Sequence, residues 1–279
     1  MYSVCTDSLY AKAGELRRAT LDLCITADKG HVTSAFSCAE ILTALYYGGI
    51  LRYDVKNPNW DGRDRFLISK GHSSPIFYSL LCDLGFFGPD SLERFCKGDK
   101  LGVHLQRDVP GVENTAGSLG HGLGIAAGIA LAAKMDRKPH YTVVLLSDGE
   151  CCEGSIWEAA MFAGFHNLNN LIAIVDRNFM TATDFTENSV GLAPLDKKFE
   201  ACGWEARTID GHCVEELLEC FKGIRSFRRR APLVIIAETV KGKGVAFAEN
   251  MPELHARVPK GDAARAWYEE LDAKGAVYR

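Results

Sequence analysis

Four short apolar runs separated by longer helical stretches leave this chain few architectures. Residues 66–68, 142–146, 171–175 and 233–237 are almost wholly apolar, the pattern of strands covered on both faces rather than one. A fifth strand is expected over Trp204–Ile209. Between them, apolar residues recur at three- and four-residue steps, as in Leu9, Ala13, Leu16, Ala19 and Leu23 of Asp7–Ala27. The same spacing predicts helices over Cys38–Tyr47, Ile156–Asn167 and Val214–Phe227. Strands alternating with helices imply βαβ units, and so an α/β fold of three layers, α/β/α, around a mainly parallel sheet. No Pro- or Ser-rich linker and no internal repeat divides the chain. One domain is therefore expected over residues 1–279, a core from 116 to 279 with an N-terminal region of helices and loops, 1–115, wrapped on it.

Composition narrows the function. With 32 basic and 36 acidic residues the net charge is −4, which offers no basic surface to nucleic acid. The one dense basic cluster, Arg228, Arg229 and Arg230, precedes an apolar strand and reads as a solvated helix end. Ten scattered cysteines contain no C-x-x-C pair, so neither a disulfide framework nor a zinc site is expected. Met1–Lys12 lacks the basic and apolar segments of a signal peptide, and no apolar run approaches the ~20 residues of a membrane span. A cytoplasmic chain with reduced thiols and no membrane partner is the expectation.

The chemistry gathers where strands end. In an open parallel sheet ligands bind beyond the carboxyl ends of the strands. The run 142–146 leads into Ser147-Asp148-Gly149-Glu150, a carboxylate followed by an exposed backbone N–H; the run 171–175 leads into Asp176-Arg177-Asn178, which adds an amide oxygen. Two oxygen ligands from neighbouring strand tips, with a nearby main-chain carbonyl, suit Mg²⁺ or Ca²⁺ carrying a phosphate ligand. The plain alternative is that Asp148 caps a helix and Asn178 makes a turn. Glycines cluster at 117–128, 149–154 and 242–244, each beside a regular pattern, as where backbone approaches something closely. The stretch from Gly117 to Ala133, nearly all Gly, Ala and Leu, would as a helix need close packing to offset its glycines, against the sheet or across an interface.

Asp-Gly, about thirty residues, then Asn resembles the thiamine diphosphate signature, and further segments in order resemble the diphosphate-binding half of transketolase. These are Lys29-Gly30-His31, Ser69-Lys70-Gly71-His72-Ser73, His104 with Pro110-Gly111-Val112-Glu113 and Gly117-Ser118-Leu119-Gly120, Asp210-Gly211-His212, and Glu238 to Gly244. The resemblance covers nearly the whole chain and implies the thiamine diphosphate-binding fold. It implies that Asp148, Asn178 and the Met180 carbonyl hold the metal, and that Gly149 N–H and His72 meet the diphosphate. Gly117 and Leu119 would meet the aminopyrimidine, with Glu150 and His255 also assigned to cofactor binding. His31, His72 and His104 would line a funnel where imidazoles bind donor hydroxyls and shuttle protons. Glu153 and Glu158 would meet partners across a subunit interface; the alternative is two surface glutamates on a helix.

The chain departs from that pattern at His121, where Gln is usual, at Phe179, where Gly is usual, and through Met180-Thr181-Ala182-Thr183. In Leu254-His255-Ala256-Arg257-Val258-Pro259 the register puts the family's late histidine on Ala256, with His255 one place early, so loss of that histidine is expected. The resemblance places the glutamate that activates the cofactor on a second, pyrimidine-binding domain, for which the chain has no room before Arg279. A separate pyrimidine-domain subunit, in an α2β2 assembly, is therefore expected. The implied activity is transfer of a two-carbon ketol unit from a ketose or related donor to an aldehyde. The alternatives are decarboxylation of a 2-oxo acid with acyl or acyloin transfer, and a degenerate subunit without cofactor.

Overall fold

The structure is a computed structural model that describes residues 5–98, 100–226 and 229–275. The elements run α1 (Thr6–Ala27), α2 (Val32–Ser37), α3 (Ala39–Tyr46), β1 (Arg65–Ile68), α4 (Ser74–Leu84), α5 (Gly122–Met135), β2 (Thr142–Ser147), α6 (Gly154–Phe165), β3 (Leu171–Arg177), α7 (Thr186–Ser189), α8 (Leu195–Ala201), β4 (Glu205–Asp210), α9 (Val214–Ser226), β5 (Leu233–Glu238) and α10 (Asp262–Gly275). Within the sheet every strand pairing is parallel, and the strand order is β1-β2-β3-β5-β4.

Side chains alternate between the two faces of each strand, and the apolar runs supply both faces at once. Phe66, Ile68, Val143, Leu145, Ile172, Ile174, Leu233 and Ile235 pack with residues of α1, α3, α4 and α9. Leu67, Val144, Leu146, Ala173, Val175, Val234 and Ile236 pack on the other side with α5, α6 and α8. Each fully buried Val, Leu or Ile contributes ~1.5–3 kcal/mol, so a sheet covered on both faces is the dominant apolar term. A third, smaller cluster joins Leu21, Cys24, Val32 and Phe36 to Trp267 and Leu271 of α10, closing the chain's end onto its beginning.

The strand expected at 66–68 forms as β1, so residues 1–115 join the core by pairing along β2, with Arg65 opposite Thr142. Two expectations change. The Gly117–Ala133 stretch is loop up to His121 and helix only from Gly122, because Gly117 and Gly120 hold φ of 150° and 86°, outside the helical range. Arg229 is no solvated helix end. It is 8% exposed, donates to the Ile224 and Asn169 carbonyls, and lies against the Tyr141 ring, so it caps the end of α9 from inside. Arg230 is exposed, and Arg228 lies outside the described residues. The ten cysteines, all among the described residues, are free thiols. Among the described residues no helix is long and apolar enough to cross a membrane.

The end of α6 passes so close to the loop before β4 that a Cβ on Gly164 would stand 1.8 Å from the Cys202 carbonyl oxygen. Gly164→Ala must displace backbone rather than a flexible side-chain tip, and we expect it to cost about 1–3 kcal/mol. Urea unfolding measures this; a variant as stable as wild type would contradict the packing.

Candidate active site

The parallel register sets Ser147 opposite Asp176, so the residues that follow β2 and β3 emerge side by side. Asp148 is fully buried. One carboxylate oxygen accepts from Gly149 N at 2.7 Å; the other accepts from Phe179 N at 2.6 Å and from the Arg177 guanidinium at 3.3 Å. Burial, reinforced by the charge of Asp176, pushes the Asp148 carboxyl up to about 6, with Arg177 and the two N–H groups opposing. Asn178 is buried, and its amide oxygen accepts from Met180 N at 3.2 Å. The plain readings therefore hold locally: Asp148 caps the short 3₁₀ turn Gly149–Cys152, and Asn178 closes a turn. The same geometry leaves two hard oxygens at adjacent strand ends.

Asp176 is the anchor behind them. Its carboxylate accepts from Lys70, Ser37 and Thr239, with the Ser37 contact at 2.6 Å. Lys70 and Asp176 both have fully buried side chains. Burial would lower Lys70, but Asp176 beside it holds its pKa above the ordinary value. A second lysine, Lys241, is 1% exposed, and among the described residues its hydrogen-bond partner is the Thr181 carbonyl at 2.8 Å. Burial, with Lys70 nearby, brings Lys241 down to about 8. Both lysines stand in segments that the sequence singles out, yet sequence reasoning gives neither a role. The available signals were a lysine two places before a funnel histidine and another inside a glycine-rich turn after a strand.

Four imidazoles meet beyond these residues. His31 sits 5.7 Å from His72, 5.9 Å from His104 and 5.1 Å from His255, measured between ring centroids, and His72 lies 5.6 Å from His255. Gly30, at φ 136° with Cys24 pressed beneath it, turns the chain sharply enough to aim His31 inward. His255 is thus not lost to the register slip. The 3₁₀ turn Pro252–Leu254 swings it into the cluster beside Ser34 Oγ at 3.3 Å, while Ala256 is exposed. Burial first, then neighbouring cations and imidazoles, lowers His31 to about 4 and His255 to about 3, and holds His72 well below its usual value. The Nδ1 atoms of His31 and His104 are buried without a hydrogen-bond partner among the described residues. His255 also lines an open cleft with Ala182, Thr183 and Arg257.

The remaining candidates divide. Glu150 is buried behind the site rather than in it: its oxygens accept from Gly120 N at 2.7 Å, from Ser147 N at 3.2 Å and from Ser69. With both oxygens engaged, it holds Gly120 N and so helps to fix the Gly117–Gly120 loop. Gly117 lies against His104, where a Cβ would stand 3.3 Å from the ring, and Leu119 is half-buried on the same loop. Glu153 and Glu158 are exposed, at the start and on the outer face of α6. His121 is exposed at the start of α5. Phe179 takes φ 63°, the conformation glycine adopts freely, at a cost of about 1–2 kcal/mol for a residue with a Cβ. Its ring lies under the Arg177 guanidinium at 4.4 Å, and Arg177 also binds Thr186 Oγ1 at 2.7 Å and Glu187 at 2.7 Å.

These residues fit a metal-bound diphosphate. A Cβ added to Gly149 would lie 3.5 Å from the Met180 carbonyl oxygen, in ordinary contact, so that carbonyl stands beside the turn that follows Asp148. Among the described residues no group of three or more His, Cys, Asp or Glu could hold a metal ion, so a cation on Asp148 and Asn178 would complete its shell with ligand oxygens. Lys241, a buried cation with no carboxylate partner among the described residues, provides the matching charge.

The family described as transketolase, thiamine diphosphate binding domain, matches residues 10–271. The 6-deoxy-6-sulfo-D-fructose transketolase subunit of a Clostridium species is 37% identical over 270 residues, covering 96% of this chain and 98% of that protein. One of the apulose-4-phosphate transketolase subunits of Phocaeicola vulgatus is 36% identical, over 92% of this chain and 91% of that protein. Human transketolase is 37% identical over 90% of this chain but only 40% of its own length. The crystal structure of transketolase from Campylobacter jejuni superposes with a TM-score of 0.87 at 28% identity, over 98% of this chain and 46% of that one.

Because Asp148 must be ionised to bind a cation, protons compete below about pH 6. Mn²⁺ affinity, followed by titration of the chain, should be level from pH 7 to 8 and fall roughly tenfold per unit below 6. Affinity unchanged between pH 5 and 8 would remove Asp148 from the ligand set.

Proposed function

The chain belongs to the transketolase family, and from that premise we propose that it is the cofactor-binding subunit of a two-component enzyme that moves a two-carbon ketol unit from a ketose or related donor to an aldehyde. The observation that carries this reading is the juxtaposition of the Asp148–Asn178 oxygen pair with the four-imidazole cluster, two features that serve different steps. Asp148, Asn178 and the Met180 carbonyl would hold Mg²⁺ or Ca²⁺, and Gly149 N–H, His72 and Lys241 would meet the diphosphate. Bound there, thiamine diphosphate supplies the electron sink that carbon–carbon cleavage needs. The protein's own part is to orient the donor and move its protons. Imidazoles lowered to about 3 and 4 are neutral at pH 7, so His255 and His31 accept hydrogen bonds from donor hydroxyls. Each ring, neutral at pH 7, has a lone pair that can take a proton from a donor hydroxyl as the reaction releases it.

Assembly belongs to the same proposal. α5 and α6 turn Ile125, Met135, Met161, Phe162 and Phe165 to solvent, with Phe165 at 81% exposure, and Glu158 lies within this face. An apolar face of this kind fits a partner surface. We assign it, with Glu153 and Glu158, to contacts in an α2β2 assembly with a pyrimidine-domain subunit. The relatives named as subunits, matched over nearly their whole length, support a separate partner.

Co-purified with such a partner, the chain should transfer ketol units from xylulose 5-phosphate or hydroxypyruvate to an aldehyde, dependent on thiamine diphosphate and a divalent cation. Turnover of pyruvate with none of the ketose would point instead to 2-oxo acid chemistry. His255→Ala should lower ketol transfer by about 10²–10⁴-fold and leave cofactor affinity intact. Equal loss of both would make His255 a structural residue.

A further inference from the structure

Behind the site, and outside the roles given above, runs a buried relay of four groups. Arg17 grips Glu40 through two hydrogen bonds of 2.6 Å, and its guanidinium also donates to the Phe36 carbonyl. Glu40 Oε2 lies 2.9 Å from His212 Nδ1, and His212 Nε2 accepts from the Val240 backbone N–H at 2.8 Å. Burial would raise Glu40, but Arg17 and the His212 hydrogen bond bring it down to about 2, so the carboxylate is ionised at every working pH.

This geometry assigns the tautomer. A backbone N–H can only donate, so Nε2 must carry a lone pair; the ring proton is then on Nδ1, aimed at Glu40. Both nitrogens are committed, which removes His212 from proton transfer. What the ring holds is Val240, and the next residue is Lys241. Past it the strap is pinned again, by Gly242 N to the Thr33 carbonyl at 2.9 Å and by Asn250 N to the Lys241 carbonyl at 2.9 Å. Before it, Thr239 is fixed on Asp176 and on the Arg177 carbonyl. The Val240 N–H is held by a side chain from the exit loop of β4, between these two pinned points.

We propose that His212, oriented by Glu40 and Arg17, is a positioning residue that sets Lys241 in the anion-binding site through the Val240 N–H. The inference rests on the phosphate-site reading above, in which Lys241 meets the diphosphate.

Two amide variants separate this role from a general structural one. Gln can present an oxygen where Nε2 stands, keeping the acceptor for Val240; Asn can present its amide to Glu40 where Nδ1 stands, but does not reach Val240. Calorimetric titration of the full chain with inorganic pyrophosphate and Mg²⁺ is the readout. His212→Asn should weaken binding about tenfold, as Lys241→Met does, and the double variant should be no weaker than Lys241→Met alone. His212→Gln should stay within about threefold of wild type. Equal losses in the Gln and Asn variants, or no loss in either, would overturn the proposal. Wild-type chain that binds no pyrophosphate, or Lys241→Met that binds it normally, would instead defeat the phosphate-site reading beneath it. The wild-type protein offers a check independent of the variants' folding. Nitrogen-15 shifts of His212 at pH 7 should show the Nδ1–H tautomer, and an Nε2–H tautomer would contradict the assignment.

Discussion

The Lys70–Asp176 ion pair is sealed from solvent on both sides, and the site's geometry depends on it. A buried pair of this kind contributes little net stability compared with apolar packing, but removing either partner costs about 3–5 kcal/mol because the other charge is stranded. Its effect here is registration. Asp176, near the end of β3, gathers Lys70 from the segment after β1, Ser37 from the end of α2, and Thr239 from the exit of β5. Those three segments carry His72, the turn begun at His31, and Lys241. One carboxylate therefore fixes, relative to the ends of β2 and β3, the parts of the chain that would hold phosphate and substrate.

Around that anchor the site is organised by desolvation. Asp148 is raised by burial and Lys241 and three imidazoles are lowered by it, so each group's neutral form is favoured. Groups tuned this way attract what restores their charge. A divalent cation favours the ionised Asp148, and an anion favours the protonated Lys241. The imidazoles, which gain no such partner, remain neutral and available to hydroxyl groups. Phe179 adds a local cost, a strained φ, at the residue after Asn178, with its ring stacked under Arg177. The departure from glycine at this position is thereby accommodated rather than corrected.

The sheet was legible because it is covered on both faces: runs such as 142–146 and 233–237 need no alternation and mark buried parallel strands unaided. The Asp148–Asn178 pair was legible because strand ends in a parallel sheet bring such residues together whatever lies between them. Arg229, Lys241 and Glu150 were not. Whether a charged side chain is solvated or buried depends on partners distant in sequence, as Glu150 depends on Gly120 and Ser69. The register count around His255 failed for another reason. Register counting treats a loop as a ruler, whereas a single 3₁₀ turn rotates the chain enough to bring the neighbouring residue into the cluster.

A crystal structure of this chain with Mg²⁺ and thiamine diphosphate would test the proposed site at the level of atoms. The cation is expected on Asp148, Asn178 and the Met180 carbonyl, the diphosphate beside Lys241 and Gly149, and the thiazolium beneath His31, His72, His104 and His255. A diphosphate bound elsewhere, with Arg177 still on Asp148 and no cation between the strand ends, would contradict the assignment.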